Sequence, residues 1–392
     1  MGKAFVLTLL AAIVFISGCW DRQELTEIGF VAAMAIDKDP ETGLYDLTSQ
    51  YLRPAAESTL TPTPDRPYLL VSTTGQTIYE MMRKANQTVD RQGFYAHNKV
   101  IIIHEDVAKE GITPIFDSFE REKDIRGHVW VCIAKDTSAK SLLDIKANNI
   151  SRIPADYLEG LLDQSELSAA SINVLNFFKQ TLGKDRDPVA GVLLLEEAEH
   201  EPFVRIKLSG GAVFTDDKLQ GFLDDIETRG YHWITAKELN QMATLAIPSI
   251  IEKDKMVTLL IQELEAQIIP KVNEGDQISF VIEVQSKGRL AELQATNGVD
   301  DRKAILDYLA DIEKEAEKKI EEEIKLVVDK AQQDFKADIF GFGRELNKDY
   351  PEAWNKVEEN WNEVFAQVPY TVQVDVTIRN SGLIQGTIEA EE

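Results

Sequence analysis

The chain has 392 residues, 44% hydrophobic and 28% charged, a globular composition that rules out wholesale disorder and leaves room for two domains of ordinary size, or three. Its 42 Lys and Arg stand against 67 Asp and Glu, a net charge of −25. That charge is poorly matched to nucleic acid and to an anionic membrane surface unless another device holds the chain there, while two cysteines exclude a disulfide scaffold and a Cys-rich zinc site.

The N-terminus pairs Lys3 with an apolar stretch from Ala4 to Ile16, broken only by Thr8. This is short for a bilayer span and suited to the core of a signal peptide. It closes on Ile16-Ser17-Gly18-Cys19, the pattern of a bacterial lipobox, in which the signal is cut before a cysteine that carries lipid. The alternative is an ordinary secretion signal with a chance cysteine; polar sequence beginning at Cys19 favours the lipobox. Residues 1–18 are therefore expected to be a cleaved signal peptide, with Cys19 S-diacylglycerated and N-acylated. Cleavage removes Lys3 and no acid, leaving 41 bases, 67 acids and a charge of −26. Each buried acyl CH₂ contributes about 0.8 kcal/mol, enough for two chains to anchor an acidic body stably.

In the mature chain, Ile28–Ile36 predicts a buried strand and Tyr45–Arg53 its hairpin partner. Pro62, Pro64 and Pro67 mark a loop, Tyr68–Ser72 a third strand, and Thr77–Val89 a helix with Ile78, Met81, Met82, Ala85 and Val89 at helical spacing. Val100–Ile103 predicts a central strand, and the run His128–Ala134 a strand that buries Cys132 as an inert thiol. Helical patterns follow at Val107–Lys109, Ile115–Glu120, Ser138–Ile145 and Asp156–Thr181, then a strand at Val189–Leu195. The acidic run Glu196–Pro202 reads as a linker or exposed crossing point. It divides the mature chain into an expected N-terminal domain, 19–196, which has room to subdivide, and a C-terminal domain, 203–392.

In the second half, Phe203–Leu208 and Gly211–Phe214 predict strands, Leu219–Leu223 a short helix or turn, and Met256–Gln262 and Ile278–Gln285 further strands. Ile305, Leu309, Ile312, Ala316, Ile320, Ile324, Val327, Ala331 and Phe335 recur at steps of three and four, predicting one long amphipathic helix over 300–336 with a solvated Lys/Glu face. Pro351 suits the first turn of another helix, with Trp354, Val357, Trp361, Val364 and Phe365 on its core side. Val372–Ile378 alternates as a closing strand. The mixed order of elements predicts an α+β class: mostly antiparallel sheets with packed helices, multi-domain, and one long amphipathic helix in the C-terminal half.

Catalytic and cofactor patterns are missing. None of His97, His104, His128, His200 and His232 has a second histidine at i,i+4, and Ala108 occupies the second ligand position of the H-E-x-x-H that His104-Glu105 opens. There is no G-x-S-x-G elbow and no P-loop. Gly341-Phe342-Gly343 is a lone G-x-G read as a helix C-cap and tight turn rather than a phosphate cradle. No catalytic, cofactor-binding or metal-ligating residues are assigned, and no cofactor. An anchored interaction protein, not an enzyme, is the reading the residues support.

Several segments resemble the Ger(x)C family, the lipoprotein C subunits of nutrient germinant receptors in endospore-forming bacteria. Gly18-Cys19-Trp20-Asp21-Arg22-Gln23-Glu24 is similar to the family's lipidated start. Thr73–Glu80 and His97–Ile103 follow in order, with Ala96 where the family stretch has a glycine. Gly211–Leu223 is the third match, and Ala337–Gly343 with Tyr350-Pro351, Trp354, Trp361 and the closing strand through Gly382-Leu383-Ile384 the fourth. The resemblance implies an α+β fold in more than two sub-domains. It also implies a non-catalytic, lipid-anchored subunit acting with membrane-embedded A and B subunits at the extracytoplasmic face of the spore inner membrane. Such a subunit is required for the nutrient-triggered response, and its relation to the nutrient is indirect or unknown. Cys19 alone carries over as a functional residue. Gly341 and Gly343 with Phe340 and Phe342 are expected to shape and pack a chain reversal, and Trp354 and Trp361 to fasten the following helix, with a docking surface for a partner subunit as the alternative. The competing functional class is a lipid-anchored solute-binding protein that captures the nutrient itself; a cell-wall hydrolase is a third.

Overall fold

The computed structural model describes Gly2 and residues 24–53, 66–121, 126–145, 151–165, 167–197, 204–236, 243–294 and 302–380. Apart from Gly2, the expected signal peptide lies outside the described residues, as do Cys19 to Gln23, Pro62 and Pro64, most of the 196–202 run and Gly382–Ile384.

The first sheet is built from β1 (Ile28–Lys38), β2 (Tyr45–Leu52), β3 (Tyr68–Gly75), β4 (Gln92–Phe94), β5 (Val100–His104), β6 (Trp130–Ala134), β7 (Ile172–Asn173), β8 (Val189–Glu197), β9 (Val204–Thr215) and β10 (Lys218–Leu223). Its order is β10-β9-β8-β6-β5-β1-β2-β3, with β4 on β1 and β7 on β6. The centre is parallel, β1 with β5, β5 with β6 and β6 with β8, and the margins are antiparallel.

The apolar run of β5 reflects this position. Ile101 and Ile103 enter one core with Phe116, Phe177 and Phe214, while Val100 and Ile102 enter another with Leu142, Leu158 and Leu162. A strand covered on both faces has no polar alternation. β1 divides its residues by size: Val31, Met34 and Ile36 face the first core, and Ala32, Ala33 and Ala35 the second. Helix α1 (Ile78–Ala85) is capped at Thr77, whose side chain accepts from the Glu80 N–H.

Helices α2 (Glu105–Glu110), α3 (Thr113–Arg121), α4 (Ala139–Leu143), α5 (Pro154–Asp163) and α6 (Val174–Leu182) complete this half. The helical pattern expected over 156–181 is two helices separated by β7. The interruption is enforced from outside the segment: Ala170 N–H donates to Gly210 O at 3.0 Å and Ile172 pairs with Val131. Leu219–Leu223, expected as a short helix or turn, is strand β10; Asp216 adopts a left-handed conformation (φ 54°) and turns the chain back along β9. The two strands expected at 203–208 and 211–214 form the single strand β9. Glu197 pairs with Val204 across the acidic run, so the first sheet continues on both sides of it.

Helix α7 (Asp225–Thr235) opens with a capping box of Asp224 and Glu227. The second sheet, β11-β12-β13-β14, consists of β11 (Ala243–Pro248), β12 (Met256–Val272), β13 (Ile278–Leu293) and β14 (Tyr370–Asn380). β12 and β13 form one long antiparallel ladder, and β14 lies parallel to β13. The crossover is helix α8 (Arg302–Lys330), continued by a π-turn over Ala331–Phe335. Ile312, Ala316, Ile320, Ile324, Val327 and Ala331 are fully buried on its sheet side, as their spacing predicts; each buried Ile or Val contributes about 1.5–3 kcal/mol. The same helix covers the edge strand. Glu317 accepts from Val376 N–H at 3.2 Å and Glu313 from Ile378 N–H at 2.7 Å, occupying donors that would otherwise template another strand. The class is α+β with two mostly antiparallel sheets.

Candidate functional site at the junction of the two sheets

The most specific sequence motif, 337–343, forms a turn around one buried carboxylate. α8 and its π-turn end where Lys336 takes a left-handed conformation (φ 50°). Lys336, not Gly341, is thus the C-cap. Gly341 (φ 91°) instead caps the N-terminus of helix α9 (Phe342–Asp349), a conformation that disfavours any residue with a Cβ.

Asp338 is fully buried. Its Oδ1 accepts from the N–H groups of Phe340 (3.2 Å), Gly341 (2.8 Å) and Phe342 (3.1 Å). Its Oδ2 accepts from Gly343 N–H at 2.8 Å and from the Trp361 indole Nε1 at 3.0 Å. All five partners are donors, which fits the ionised, acceptor-only carboxylate, and several are first-turn N–H groups that lack an intrahelical partner. Burial pushes the carboxyl above its ordinary range; the N–H groups of Gly343 and Phe342, the indole and the Gly341 N–H pull the other way.

Gly343 allows this packing. A Cβ there would lie 2.7 Å from Trp354 Cζ3 and 2.8 Å from Trp361 Nε1. The two indoles meet edge to face at 5.3 Å, and Phe342 stacks on Phe280 of β13 at 4.6 Å. The expected tryptophan-bearing helix is three short pieces, α10 (Pro351–Val357), a 3₁₀ turn over Glu358–Asn360 and α11 (Trp361–Phe365). Trp354 and Trp361 are buried in the core shared with the second sheet.

The loop entering β8 docks on this turn. Asp187 N–H donates to Asp338 O at 2.8 Å, and Arg344 N–H to Asp185 O at 3.1 Å. Arg186 donates through Nε to Ile339 O (3.1 Å) and through Nη2 to the Tyr231 hydroxyl (2.9 Å), while Lys184 pairs with Glu359 at 3.0 Å. Asp187 accepts from Asp216 N–H at 3.3 Å. Burial first, and the Asp338 charge second, raise its carboxyl to about 7. His232 Nε2–H donates to Ala169 O at 3.0 Å; burial lowers the imidazole to about 4, so the ring that donates is neutral.

α7 is tied to α8 beside this junction. Glu323, 1% exposed, accepts from Arg229 Nε and Nη2 and from the Trp233 indole at 2.9 Å. Lys99 is held by Asp156 (2.9 Å) and Glu159 (2.6 Å). Cys132 is buried and free, and burial pushes its thiol up, which removes it as a nucleophile. Among the described residues no group of three or more His, Cys, Asp or Glu side chains is arranged to hold a metal, and no helix is long and apolar enough to cross a membrane.

Sequence reasoning assigned Gly341, Gly343 and the aromatic residues to a packed reversal, and the structure brings them together there. It missed Asp338 as the centre and the 184–187 loop as the partner. An acid placed three residues before the first glycine of a helix-opening turn is the signal that could have found Asp338.

This two-sheet α+β architecture is that of the protein described as "Crystal Structure of the GerBC protein", with a TM-score of 0.57 and 20% identity over 88% of this chain and 97% of that one. Two family models match: "Spore germination protein N-terminal domain" over residues 21–195 and "Spore germination B3/ GerAC like, C-terminal" over 209–382. Among curated relatives, Spore germination protein KC of Bacillus subtilis (strain 168) is 29% identical, covering 98% of this chain and 97% of that protein. Spore germination protein B3 of the same organism is 25% identical over 95% and 96% of the two chains. The chain belongs to the Ger(x)C family of spore germination proteins.

Proposed function

We propose that this protein is a lipid-anchored, non-catalytic subunit of a spore germinant receptor. It is held by diacylglycerol and an N-acyl chain on Cys19 at the extracytoplasmic face of the spore inner membrane, and assembled there with membrane-embedded A and B subunits. Its response to nutrient runs through that assembly. The carrying observation is the lipobox Ile16-Ser17-Gly18-Cys19 at the head of a chain that matches spore germination proteins almost end to end. The division into 19–196 and 203–392 is part of the same proposal and is supported by the limits of the two family models. In this reading the carboxylate-centred junction transmits no chemistry; it holds the two sheets in one orientation so that a partner meets both. Cys19→Ala tests it. The variant is expected to leave the membrane fraction and to lose the nutrient-triggered germination response; normal retention and germination contradict the proposal.

A second reading, direct capture of the nutrient, has one observation in its favour. A cleft of about 480 Å³ opens between the first sheet and α7, lined by Lys135, Leu194, Phe222, Asp225 and Ile226, a volume within the range of ligand sites. Calorimetric titration with amino acids, sugars and nucleosides separates the two, because saturable binding without partner subunits favours capture.

A further inference from the structure

The sheet edges are not equally guarded. β14 gives N–H groups to Glu313 and Glu317 of α8. β11 has six residues and ends in Pro248. β10 is bent by a bulge between Leu219 and Gly221, with the Phe335 ring against Gly221. Short length, proline, bulges and cover keep an edge from pairing with another chain. β3 has none of these protections: its eight residues include no proline and no charge, and they pair with β2 without a register shift.

The ladder fixes which backbone groups of β3 are free. Arg53 N–H donates to Pro67 O at 2.7 Å, and hydrogen-bonded pairs recur at every second position of an antiparallel ladder. Leu69, Val71, Thr73 and Gly75 therefore bond to β2, while Tyr68, Leu70, Ser72 and Thr74 turn their N–H and C=O groups outward. Thr74 O, so directed, accepts from Lys84 Nζ at 3.2 Å. The backbone groups of Tyr68, Leu70 and Ser72 that point outward have no partner among the described residues. Leu69, on the same face as Val71, is 43% exposed. Leu70 is half-buried against the second core on the other face.

We propose that β3 pairs with β3 of a second copy of this chain, antiparallel about a two-fold axis at Leu70. That register engages every free group on both strands: Leu70 bonds to its counterpart, and Tyr68 and Ser72 of one copy bond to Ser72 and Tyr68 of the other. A two-fold interface must be self-complementary, and three free residues centred on Leu70 meet that condition. On one face each exposed Leu69 gains Val71 of the other copy as a cross-strand neighbour. Charge argues for a second copy as the occupant. At −25 the chain repels its like, and a strand without acid or base lets two copies pair with no like charges opposed in the ladder. The inference goes beyond the proposed function and does not depend on the anchor at Cys19.

The test uses the full chain in detergent micelles. Sedimentation of the native chain at rising concentration is expected to show a monomer–dimer equilibrium. Leu69→Lys puts on this edge the charge that guards others, and is expected to weaken the dimer by at least about tenfold. A native chain that stays monomeric overturns the proposal, and a dimer equally strong in Leu69→Lys overturns β3 as its interface. Oxidative crosslinking reads the register, as the excess over the native chain, which carries only Cys19 and Cys132. Leu70→Cys sets two facing residues about 5.5 Å apart at Cα and is expected to be trapped; Ser72→Cys leaves its two copies more than about 12 Å apart and is not. If tryptophan fluorescence shows Leu70→Cys unfolded, a mixture of Leu69→Cys and Val71→Cys chains reads the same register. Trapping at Ser72→Cys in preference to these positions overturns it.

Discussion

Asp187, in the loop entering the first sheet, donates its backbone N–H to the carbonyl oxygen of Asp338 at 2.8 Å, while the Asp338 carboxylate gathers five donors from the turn that opens α9 and from Trp361. One residue therefore organises the turn with its side chain and receives the other half of the molecule with its backbone. Disturbing that side chain should loosen both.

Asp338→Asn keeps the shape and removes the charge, and it sets an amide NH₂ against N–H donors. Burying unmatched donors costs about 3 kcal/mol or more in such a site. The denaturation midpoint, followed by tryptophan fluorescence, should fall accordingly, because Trp361 loses its acceptor.

Gly343→Ala places a methyl group 2.7 Å from Trp354 and should cost about 1–3 kcal/mol by overpacking. Gly160→Ala is the control. It lies within α5 with nothing within 4 Å of its added Cβ, and should be neutral or stabilising by up to about 1 kcal/mol. Paired unfolding curves compare the two.

Arg229→Ala leaves the buried Glu323 carboxylate with only the Trp233 indole and Lys319 at 3.7 Å and should destabilise by about 3 kcal/mol. Replacing Glu323 by Gln together with Arg229→Ala should cost less than the single change, because no buried charge is then left. A double-mutant cycle in denaturant measures the difference.

Two groups at the junction give opposite pH slopes. Asp187, raised to about 7, holds its proton more tightly folded than unfolded. Its contribution is complete below the unfolded carboxylate pKa and is lost as pH rises through about 7. His232, lowered to about 4, holds its proton less tightly folded. Its contribution is present above the unfolded imidazole pKa and is lost as pH falls toward about 4. Between these limits each slope approaches about 1.4 kcal/mol per pH unit at most, and the two offset each other. Asp187→Asn should therefore make stability rise with pH between about 4.5 and 6.5, and His232→Gln should make it fall. Urea titrations at stepped pH read both slopes.

The sequence was most legible where burial is local and periodic. The β5 run and the α8 stripe state their environments directly, since one is covered on both faces and the other on one side. It misled where a partner distant in sequence decides. Leu219–Leu223 has the apolar spacing of a helical turn, yet the left-handed Asp216 folds it onto β9. The 156–181 pattern reads as one helix, yet β6 and Gly210 recruit its middle. At the junction, glycines and aromatic residues announced a packed reversal, while Asp338 looked like any other of the 67 acids because its role exists only once five donors converge on it. Cys19 rests on sequence pattern throughout.

Mass spectrometry of the membrane-extracted chain tests the account most directly. A mature N-terminus at Cys19 carrying a diacylglycerol thioether and an amide-linked acyl chain is the predicted result. A chain that retains residues 1–18, or is cut elsewhere and leaves Cys19 unmodified, contradicts it.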